Sequence, residues 1–402
     1  MKNIGLMISS LNGGGAERVV SHLSHILSKK YNIHLILFET EGIGYTYCGK
    51  LHDLNVRAKN GNVFTKIDLL FKRVKKVKKI IKQEKLDCVI SFLDSPNFVN
   101  LFAKISGCKT IISVRNYSAL ENKQSLLGNV VNNLMKVLYK RADKVVVVSK
   151  LMERDFIEHY GVSKDKICTI YNPYNFNEMQ EKCQENLKQD EQKFYENHFV
   201  YINVGRIMYQ KGIWHLIKAF KLVYNQDNNV RLVLVGDDHS EGKVKKLVKE
   251  LGLEKAVLMT GAQKNPYKYM YCADSYVLTS MFEGFPNAMV EGMACGCAIV
   301  AANCKSGPRE ILCEKPDLDV EYVEIQKVDY GILVPCLETM ENWEATQKTK
   351  GEEKLAEAML MLLKDKKMAE QYANKAIERS YVFNYDECGN AYEKIIETNG
   401  SI

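Results

Sequence analysis

The sequence predicts an α/β protein with two doubly wound domains, each a parallel sheet covered by helices on both faces. Short runs of valine and isoleucine alternate with helical patterns along the chain, as buried parallel strands require. This series stops near residue 172 and starts again near residue 198. The 402 residues are also enough for two or three domains of ordinary size.

The first half of the chain contains six predicted strands and four predicted helices. The strands are apolar and β-branched, at residues 3–9, 33–38, 87–92, 110–114, 144–148 and 166–170. The helices repeat apolar residues every three or four positions, at residues 16–29, 66–84, 126–140 and 150–159. Asn172-Pro173-Tyr174-Asn175 interrupts the series, and residues 178–196 carry no strand pattern. We therefore predict a first domain over residues 1–180.

A second series predicts a second domain over residues 181–385. Its strands are expected at residues 199–204, 230–235, 256–259, 275–278, 298–301 and 331–334. Its helices are expected at residues 212–224, 242–250 and 286–295. A last helical pattern has Tyr392, Ile395 and Ile396 on its apolar face, so we expect residues 386–402 to dock on the first domain.

Composition and charge exclude several classes of protein. A content of 46% hydrophobic and 26% charged residues is that of an ordinary globular chain, and no apolar run approaches the roughly 18 residues of a bilayer crossing. The twelve cysteines form no C-x-x-C pair, which argues against a disulfide framework or a cysteine zinc site. Residues 1–180 hold 28 Lys and Arg against 15 Asp and Glu, so the first domain is predicted to be basic.

Two glycine-containing segments open predicted helices. Gly13, Gly14 and Gly15 follow the first strand and expose backbone N–H groups at the positive end of a helix dipole. They could bind an anion or a sugar hydroxyl, and a purely structural turn explains them equally well.

A second loop carries Gly205-Arg206 and Lys211-Gly212. Its planar guanidinium, its mobile ammonium and the start of a helix suit a diphosphate, with two solvated surface cations as the alternative.

Two glutamates lie eight residues apart in the segment 280–292. Glu283 follows a predicted strand, and Glu291 lies inside the helix that Pro286 begins. Carboxylates accept hydrogen bonds from hydroxyl groups, so a ribose or a hexose is the expected ligand, with a solvated helix face as the alternative.

Together these residues resemble glycosyltransferase family 4. The resemblance spans roughly residues 1–395, and it rests on Phe282-Glu283-Gly284-Phe285-Pro286-Asn287 with Glu291, Gly205-Arg206, Lys211-Gly212, Gly261 and Ser306-Gly307-Pro308-Arg309-Glu310-Ile311-Leu312. Members of this family are retaining enzymes that use nucleotide sugars. The resemblance therefore implies the GT-B fold, in which two Rossmann-like domains face each other across a cleft.

The resemblance also implies roles for individual residues. Arg206 and Lys211 would neutralise the donor diphosphate, Glu283 would hold the hydroxyls of the transferred sugar, and Glu291 would hold the ribose hydroxyls. Further substrate-binding positions are implied near the diphosphate, the base (often uracil in this family), the sugar and the acceptor: Gly205; Gly261, Gln263 and Asn265; Gly284, Phe285, Pro286 and Asn287; and Gly14 and Gly15.

One position departs from the common pattern of the family. Many members have a histidine at the end of the strand equivalent to residues 110–114, where this chain has Arg115-Asn116. Some members that build bacterial surface glycans also have Arg-Asn there. We therefore assign Arg115 and Asn116 to the active site, with a strand-end cap as the alternative.

No metal ion or cofactor is expected in the reaction. The chain has no Asp-x-Asp motif beside the predicted diphosphate site, and Asp237-Asp238 is better explained as a turn. Arg206 and Lys211 supply the positive charge that would stabilise a departing nucleoside diphosphate.

Residues 66–85 form a predicted basic amphipathic helix with nine Lys and Arg and two acidic residues. We expect its apolar stripe to pack on the first domain, with insertion into lipid as the alternative, and its charges to face an anionic membrane surface. No nucleic-acid partner is expected, because no zinc-finger spacing or aromatic platform accompanies the lysines.

The short apolar N-terminal segment predicts a first strand rather than a secretion signal. A cytoplasmic protein at the inner face of the cell membrane is therefore expected.

The leading hypothesis is a retaining, metal-independent glycosyltransferase. It would move a hexose or N-acetylhexosamine from a UDP-sugar to a lipid-linked saccharide in surface polysaccharide or glycolipid biosynthesis. The alternatives are a nucleotide-sugar epimerase or a glycogen-type synthase on the same scaffold, and a non-catalytic protein that binds nucleotides or polyanions.

Overall fold

The computed structural model describes residues 1–57, 63–115 and 126–398 of the chain. The chain divides into two units. Unit 1 comprises Met1–Tyr174 and Phe383–Ile402, and unit 2 comprises Asn175–Val382. Unit 1 is therefore built from two separate parts of the sequence, and unit 2 is inserted between them.

Unit 1 contains a parallel sheet of seven strands. They are β1 (Asn3–Ile8), β2 (Asn32–Leu37), β3 (Lys50–Asp53), β4 (Cys88–Phe92), β5 (Lys109–Val114), β6 (Lys144–Val147) and β7 (Ile167–Thr169). Their order in the sheet is β3-β2-β1-β4-β5-β6-β7, and every neighbouring pair is parallel. The sequence pattern misses β3, because this short edge strand has Lys50, His52 and Asp53 in place of an apolar run.

Helices cover both faces of this sheet. The amino-terminal part of unit 1 has α1 (Gly15–Leu27), α2 (Val63–Gln83), α3 (Asp94–Ala103), α4 (Leu126–Leu138) and α5 (Lys150–Glu158). One apolar cluster joins α1 to buried residues of β1 and β2, and a second joins α2 and α3 to the alternate residues of the same strands. The two clusters form because successive side chains of a strand point to opposite faces.

Unit 2 also contains a sheet of seven strands, and its first five positions repeat the strand order of unit 1. Its strands are β8 (Phe199–Val204), β9 (Val230–Val235), β10 (Val257–Gly261), β11 (Ser275–Leu278), β12 (Ala298–Ala302), β13 (Gln326–Val328) and β14 (Gly331–Val334). Their order is β10-β9-β8-β11-β12-β14-β13, and only the edge strand β13 is antiparallel to its neighbour. The structure thus confirms the predicted fold class of two parallel-sheet α/β units.

The helices of unit 2 are more numerous than the sequence pattern predicts. They are α6 (Phe176–Cys183), α7 (Gln189–Tyr195), α8 (Ile213–Gln226), α9 (Lys243–Glu250), α10 (Tyr267–Tyr271), α11 (Asn287–Ala294), α12 (Pro308–Leu312), α13 (Lys350–Lys364) and α14 (Lys366–Ser380). Several of those that the pattern misses are short, and a short helix contains too few turns for a clear apolar period. Within residues 1–57, 63–115 and 126–398, no helix is both long and apolar enough to cross a bilayer.

The first domain boundary lies earlier than predicted. The sequence predicts it after residue 180, whereas the structure places it after Tyr174, inside the interruption at residues 172–175. Helix α6 follows this point and packs in unit 2, where the Lys182 carbonyl accepts a hydrogen bond of 2.8 Å from Asn265 Nδ2. The contacts of α6 therefore assign it to unit 2.

The last helix, α15 (Tyr385–Glu397), packs in unit 1. Tyr392 and Ile396 are buried in the same apolar cluster as Leu23 of α1. The second boundary lies after Val382 instead of residue 385, because the Tyr174 N–H donates a hydrogen bond of 3.1 Å to the Phe383 carbonyl and so holds this segment to unit 1.

Replacing Ile396 with alanine is expected to destabilise unit 1. Ile396 is 4% exposed, and truncation of a buried isoleucine leaves a cavity that costs roughly 2 to 5 kcal/mol. Hydrogen exchange of the α1 amides measures this change locally. Glu393→Ala is the matched control on the same helix, because its ion pair with Lys30 is largely exposed and should contribute less than about 1 kcal/mol. Equal exchange rates in the two variants would contradict the docking of α15 on α1.

Candidate functional site

The strand order of unit 2 creates one preferred place for a ligand. Strands β8 and β11 are neighbours in the sheet, although β9 and β10 lie between them in sequence. The chain turns to opposite sides at this point, and the loops that follow the two strands leave a crevice at their carboxyl ends. The loop after β8 contains Gly205, Arg206 and Lys211, and the loop after β11 contains Glu283.

These two loops approach each other closely at Gly212. Its φ is +58°, and a Cβ atom at this position would lie 2.3 Å from the Thr279 carbonyl oxygen. Only glycine fits such a backbone conformation and such a contact without strain. In addition, Thr279 Oγ1 donates a hydrogen bond of 2.8 Å to the Lys211 carbonyl. Gly212 therefore lets the loop after β8 lie directly against the end of β11.

Lys211 and Glu283 form an ion pair between the two loops. Lys211 Nζ lies 2.6 Å from Glu283 Oε1, and the hydroxyl of Ser280 donates a hydrogen bond of 2.6 Å to the same oxygen. The Glu283 side chain is only 8% exposed and the Lys211 side chain 20% exposed. Among the described residues, Glu283 Oε2 has no hydrogen-bond donor. One carboxylate oxygen is thus fixed, and the other can accept a hydrogen bond from a ligand hydroxyl.

The backbone around Glu283 is held by the segment after β12. The Glu283 N–H donates to the Lys305 carbonyl at 2.8 Å, and the Ser306 N–H donates to the Glu283 carbonyl at 2.7 Å. Ser306 Oγ also donates to the Gly284 carbonyl at 2.9 Å. These bonds fix the start of the segment 284–287, in which Phe285 and Pro286 are buried.

Glu291 lies on α11 and is 3% exposed. Burial, and then the negative charges of Glu283 and Glu291, raise the pKa of the Tyr276 phenol on β11 well above its usual value. Both carboxylates are therefore close enough to act on the same phenol. The structure brings the two predicted acids and Lys211 into one region, with Asn287 at the first turn of the helix that carries Glu291.

Arg206 is exposed and has no hydrogen bond or ion pair with any residue that the structure describes. It follows Gly205, whose N–H donates to the Val235 carbonyl at 2.9 Å. Its guanidinium is thus available for an anion next to β8. Asp237 and Asp238 follow β9, and Asp238 forms an isolated parallel bridge with Ile207. The predicted turn is present only as the hydrogen bond of 2.8 Å that Asp238 Oδ1 accepts from the Ser240 N–H.

The residues predicted around the base lie at the end of β10. Gly261 is exposed and accepts a hydrogen bond of 2.9 Å from the Gly236 N–H. Gln263 Nε2 donates to the Thr260 carbonyl at 2.8 Å. Asn265 uses its oxygen for the Tyr267 N–H and its nitrogen for a carbonyl of α6. Asn265 therefore has a structural role in the loop, and its contact with a base stays a prediction.

In unit 1, Gly14 and Gly15 lie at the start of α1, where Gly14 is the N-cap residue. The Glu17 carboxylate folds back over this end, because its Oε2 would lie 2.2 Å from a Cβ atom on Gly14. A negative charge in the first helical turn is favourable. An anionic ligand at these glycines would have to displace or avoid Glu17.

Arg115 follows β5 and is 7% exposed. Its guanidinium donates to Ser113 Oγ at 3.1 Å, to the Tyr392 hydroxyl at 3.5 Å and to Asn172 Oδ1. It therefore connects β5 to α15, as the alternative of a strand-end cap predicts. Its catalytic role is a prediction that these contacts do not support. Asn116 lies outside the residues that the structure describes.

The sequence matches two family models: Glycosyltransferase Family 4 over residues 13–178 and Glycosyl transferases group 1 over residues 184–317. It is 30% identical over 389 residues, 96% of each chain, to the Campylobacter jejuni protein named N-acetylgalactosamine-N,N'-diacetylbacillosaminyl-diphospho-undecaprenol 4-alpha-N-acetylgalactosaminyltransferase. The chain belongs to glycosyltransferase family 4.

Other proteins are similar to this glycosyltransferase over most of its length. An uncharacterised glycosyltransferase of Methanocaldococcus jannaschii is 30% identical over 345 residues, which are 82% of this chain and 83% of that protein. The crystal structure of Anabaena HepE in complex with UDP and glucose has a TM-score of 0.74 at 20% identity, and the match covers 98% of this chain and 99% of the other. These similarities confirm the predicted family and its GT-B fold.

Three residues that position the glycosyltransferase site were not predicted. Ser280 and Ser306 hold Glu283 and Gly284, and Gln210 Nε2 donates to the Phe282 carbonyl at 2.9 Å. All three lie in the motif segments 205–212, 280–292 and 306–312. Polar side chains close to the predicted charged and glycine positions indicate such a role. Buried backbone groups in loops need hydrogen-bond partners, and these side chains can supply them.

Lys211→Met is expected to lower the free energy of unfolding of unit 2 by about 3 kcal/mol, because it leaves the buried Glu283 carboxylate without its cation. Glu283→Gln in the same chain should recover most of this loss. Fluorescence during guanidinium unfolding measures both effects in unit 2, since Trp214 and Trp343 lie in that unit.

The matched control for this cycle is Lys246→Met. Lys246 is 76% exposed beside Glu250, so its removal should cost less than about 1 kcal/mol. If the losses of the two single variants simply add in the Lys211→Met/Glu283→Gln variant, the two side chains are not coupled.

Proposed function

We propose that this glycosyltransferase moves a hexose or an N-acetylhexosamine from a UDP-sugar to a lipid-linked saccharide, with retention of configuration, in surface polysaccharide or glycolipid biosynthesis. The observation that carries the proposal is the ion pair of Lys211 and Glu283 at the carboxyl ends of β8 and β11, with Glu291 buried on the helix α11 that follows. This grouping combines a cation for phosphate with carboxylates for hydroxyl groups.

The donor is assigned by the chemistry of this grouping. Arg206 and Lys211 offer N–H donors to the diphosphate, and an ammonium with three donors can keep its bond to Glu283 while it contacts a phosphate oxygen. Glu283 Oε2 would accept a hydrogen bond from the transferred sugar, and Glu291 one from the ribose. The UDP and glucose in the Anabaena structure support a UDP-sugar as the donor.

The proposed reaction needs no metal ion or other cofactor. The bond between the anomeric carbon and the β-phosphate oxygen breaks, and the acceptor oxygen forms the new glycosidic bond on the same face of the sugar. The acceptor hydroxyl gives its proton to the departing phosphate oxygen, so UDP leaves with that proton. Arg206 and Lys211 stabilise the negative charge that develops on the diphosphate, because they are positioned before the reaction begins.

The acceptor is proposed to be lipid-linked. The name of the Campylobacter relative contains a saccharide on diphospho-undecaprenol, which is a lipid carrier. A substrate of this kind lies in a membrane surface, so an enzyme that uses it needs a surface that binds the membrane. Helix α2 of unit 1 offers such a surface.

The apolar stripe of α2 is only partly buried. Val77 and Ile81 pack in the core of unit 1, as the sequence predicts. Phe64, Ile67 and Phe71, however, are 79%, 43% and 67% exposed. The expectation that the whole stripe packs on the sheet is therefore wrong for the first half of the helix. Exposed aromatic and aliphatic residues beside lysines are typical of helices that lie in a membrane interface.

The charges of α2 are largely free to face an anionic surface. Four exposed lysines on this helix have no hydrogen bond or ion pair with the described residues: Lys66, Lys75, Lys79 and Lys82. Each lysine near an anionic leaflet contributes roughly 1 kcal/mol of attraction. We propose that α2 places the enzyme at the inner face of the cell membrane.

Arg206→Ala is expected to weaken UDP binding about tenfold, because it removes a charge-assisted hydrogen bond to phosphate. Uridine has no phosphate, so its affinity should not change. Glu291→Gln should weaken both ligands by a similar factor, since the ribose is common to them. Isothermal titration of the wild type and the variants measures each affinity.

The control for these titrations is Lys246→Ala, a distant exposed cation of unit 2 that should leave both affinities unchanged. UDP affinity that is unaffected by Arg206→Ala would remove Arg206 from the donor site. Nuclear magnetic resonance of the product tests the reaction itself: an anomeric configuration opposite to that of the donor sugar would overturn retention.

Changing Lys66, Lys75, Lys79 and Lys82 to glutamate is expected to reduce binding to phosphatidylglycerol vesicles by roughly a hundredfold or more. Co-sedimentation with vesicles measures the change. The matched control changes the exposed lysines 245, 246, 249 and 255 of unit 2 to glutamate, which alters the net charge by the same amount. Both variants should bind UDP normally. Equal vesicle binding by the two variants would show that the net charge, and not α2, is responsible.

A further inference from the structure

Two histidines and a glutamate meet at the β3 edge of the unit 1 sheet. His34 Nδ1 lies 3.0 Å from His52 Nε2 and 3.8 Å from Glu84 Oε2. One ligand atom from each of the three residues lies within 4.8 Å of the other two. His34 is buried, and the other two side chains are half-buried. Neither the donor chemistry nor the proposed membrane surface uses these residues.

The fold brings the three residues together from distant parts of the sequence. His34 is on β2 and His52 is on β3, and the register of these parallel strands pairs His34 with Lys50. Alternate residues of a strand share a face, so His34 lies on the same face as Ile36, which packs in the cluster that contains α2. Glu84 directly follows α2. The cluster therefore forms where the end of α2 meets the sheet edge.

Lys50 orients the glutamate. Its ammonium donates a hydrogen bond of 2.8 Å to Glu84 Oε1, so the other oxygen, Oε2, is the one that faces His34. The Lys50 side chain is 61% exposed, and water therefore screens most of its charge. A carboxylate held in this way has one oxygen fixed and one directed at the imidazoles.

We propose that His34, His52 and Glu84 form a binding site for a divalent transition-metal ion such as Zn²⁺. Two imidazole nitrogens and one carboxylate oxygen are a ligand set that zinc accepts, with a fourth position left for water. Ligands about 2.1 Å from a tetrahedral ion lie about 3.4 Å from each other. The separations of 3.0 and 3.8 Å lie on either side of this value and the third pair of ligand atoms lies within 4.8 Å, so side-chain rotations would complete the site.

The contact of 3.0 Å between His34 Nδ1 and His52 Nε2 is a hydrogen bond, so at least one of these nitrogens is an unprotonated acceptor. Neutral imidazole keeps the nitrogen lone pair that a metal ion requires. Without an ion, one ring donates an N–H hydrogen bond to the other, which accounts for the short contact between them.

A metal ion here would connect three elements of unit 1. It would join the edge strand β3 to β2 and would hold the end of α2, through Glu84, against the sheet. Because β3 has only four residues and a polar sequence, this connection would reduce its local opening. The site would thus stabilise the carboxyl-terminal end of α2, the helix whose first half has an exposed apolar stripe.

Equilibrium dialysis of the tag-free, chelator-treated full-length protein against Zn²⁺, with elemental analysis, tests this proposal. We expect one Zn²⁺ per chain in the wild type. Affinity should fall at least tenfold in His52→Ala and in Glu84→Gln, which removes the ligand charge with almost no change of shape. Zn²⁺ should also slow hydrogen exchange of the β3 amides in the wild type and in neither variant.

The matched control is His159→Ala. His159 is an exposed histidine on the surface of unit 1, 3.0 Å from the carboxylate of Asp155, so it measures binding to an ordinary surface pair. This variant should keep the wild-type affinity. The proposal is overturned if the wild type binds no Zn²⁺, or if Glu84→Gln and His52→Ala bind it as tightly as the wild type. Glu84→Gln hardly changes the shape of the side chain, so it tests the proposal even if a histidine variant misfolds.

Discussion

The ion pair between Lys211 and Glu283 is the interaction on which the proposed donor site of this enzyme depends. It joins loops whose charged residues are 72 positions apart in sequence, and it does so because the sheet places β8 beside β11. Gly212 permits the close approach, and Ser280 and Ser306 hold the acidic side chain and its backbone. The charges are therefore in place before any ligand arrives, which is the condition for effective electrostatic stabilisation of a leaving group.

In unit 1, the residue that follows strand β5 makes internal contacts. Arg115, at the position where many relatives have a histidine, is buried and bound to Asn172 and Tyr392. A guanidinium with internal partners on three sides is well suited to hold the returning helix α15 against the sheet. The difference from the common family pattern thus has a structural explanation in this chain.

The sequence predicts the buried parts of this fold well and the edges poorly. Strands such as β8 and β11 are short apolar runs bounded by glycine and polar residues, and this pattern is enough to predict them. The motif that contains Glu283 and Glu291 can also be predicted, because its members are close together along the chain. Contacts between distant segments cannot be predicted in this way. Ser306 reaches Glu283 from the segment after β12, and the pairing of β2 with β3 brings His34 near His52. The strand β3 lacks an apolar pattern, since an edge strand with a polar face does not need one.

The division of unit 1 into two stretches of sequence affects how the protein is made. The ribosome produces the sheet of unit 1 and then all of unit 2 before it produces α15, which covers α1. During that interval the outer apolar face of α1 is exposed, whereas unit 2 has every segment that it needs. Unit 1 therefore begins first along the chain and is completed second, and its final step joins α15 to α1.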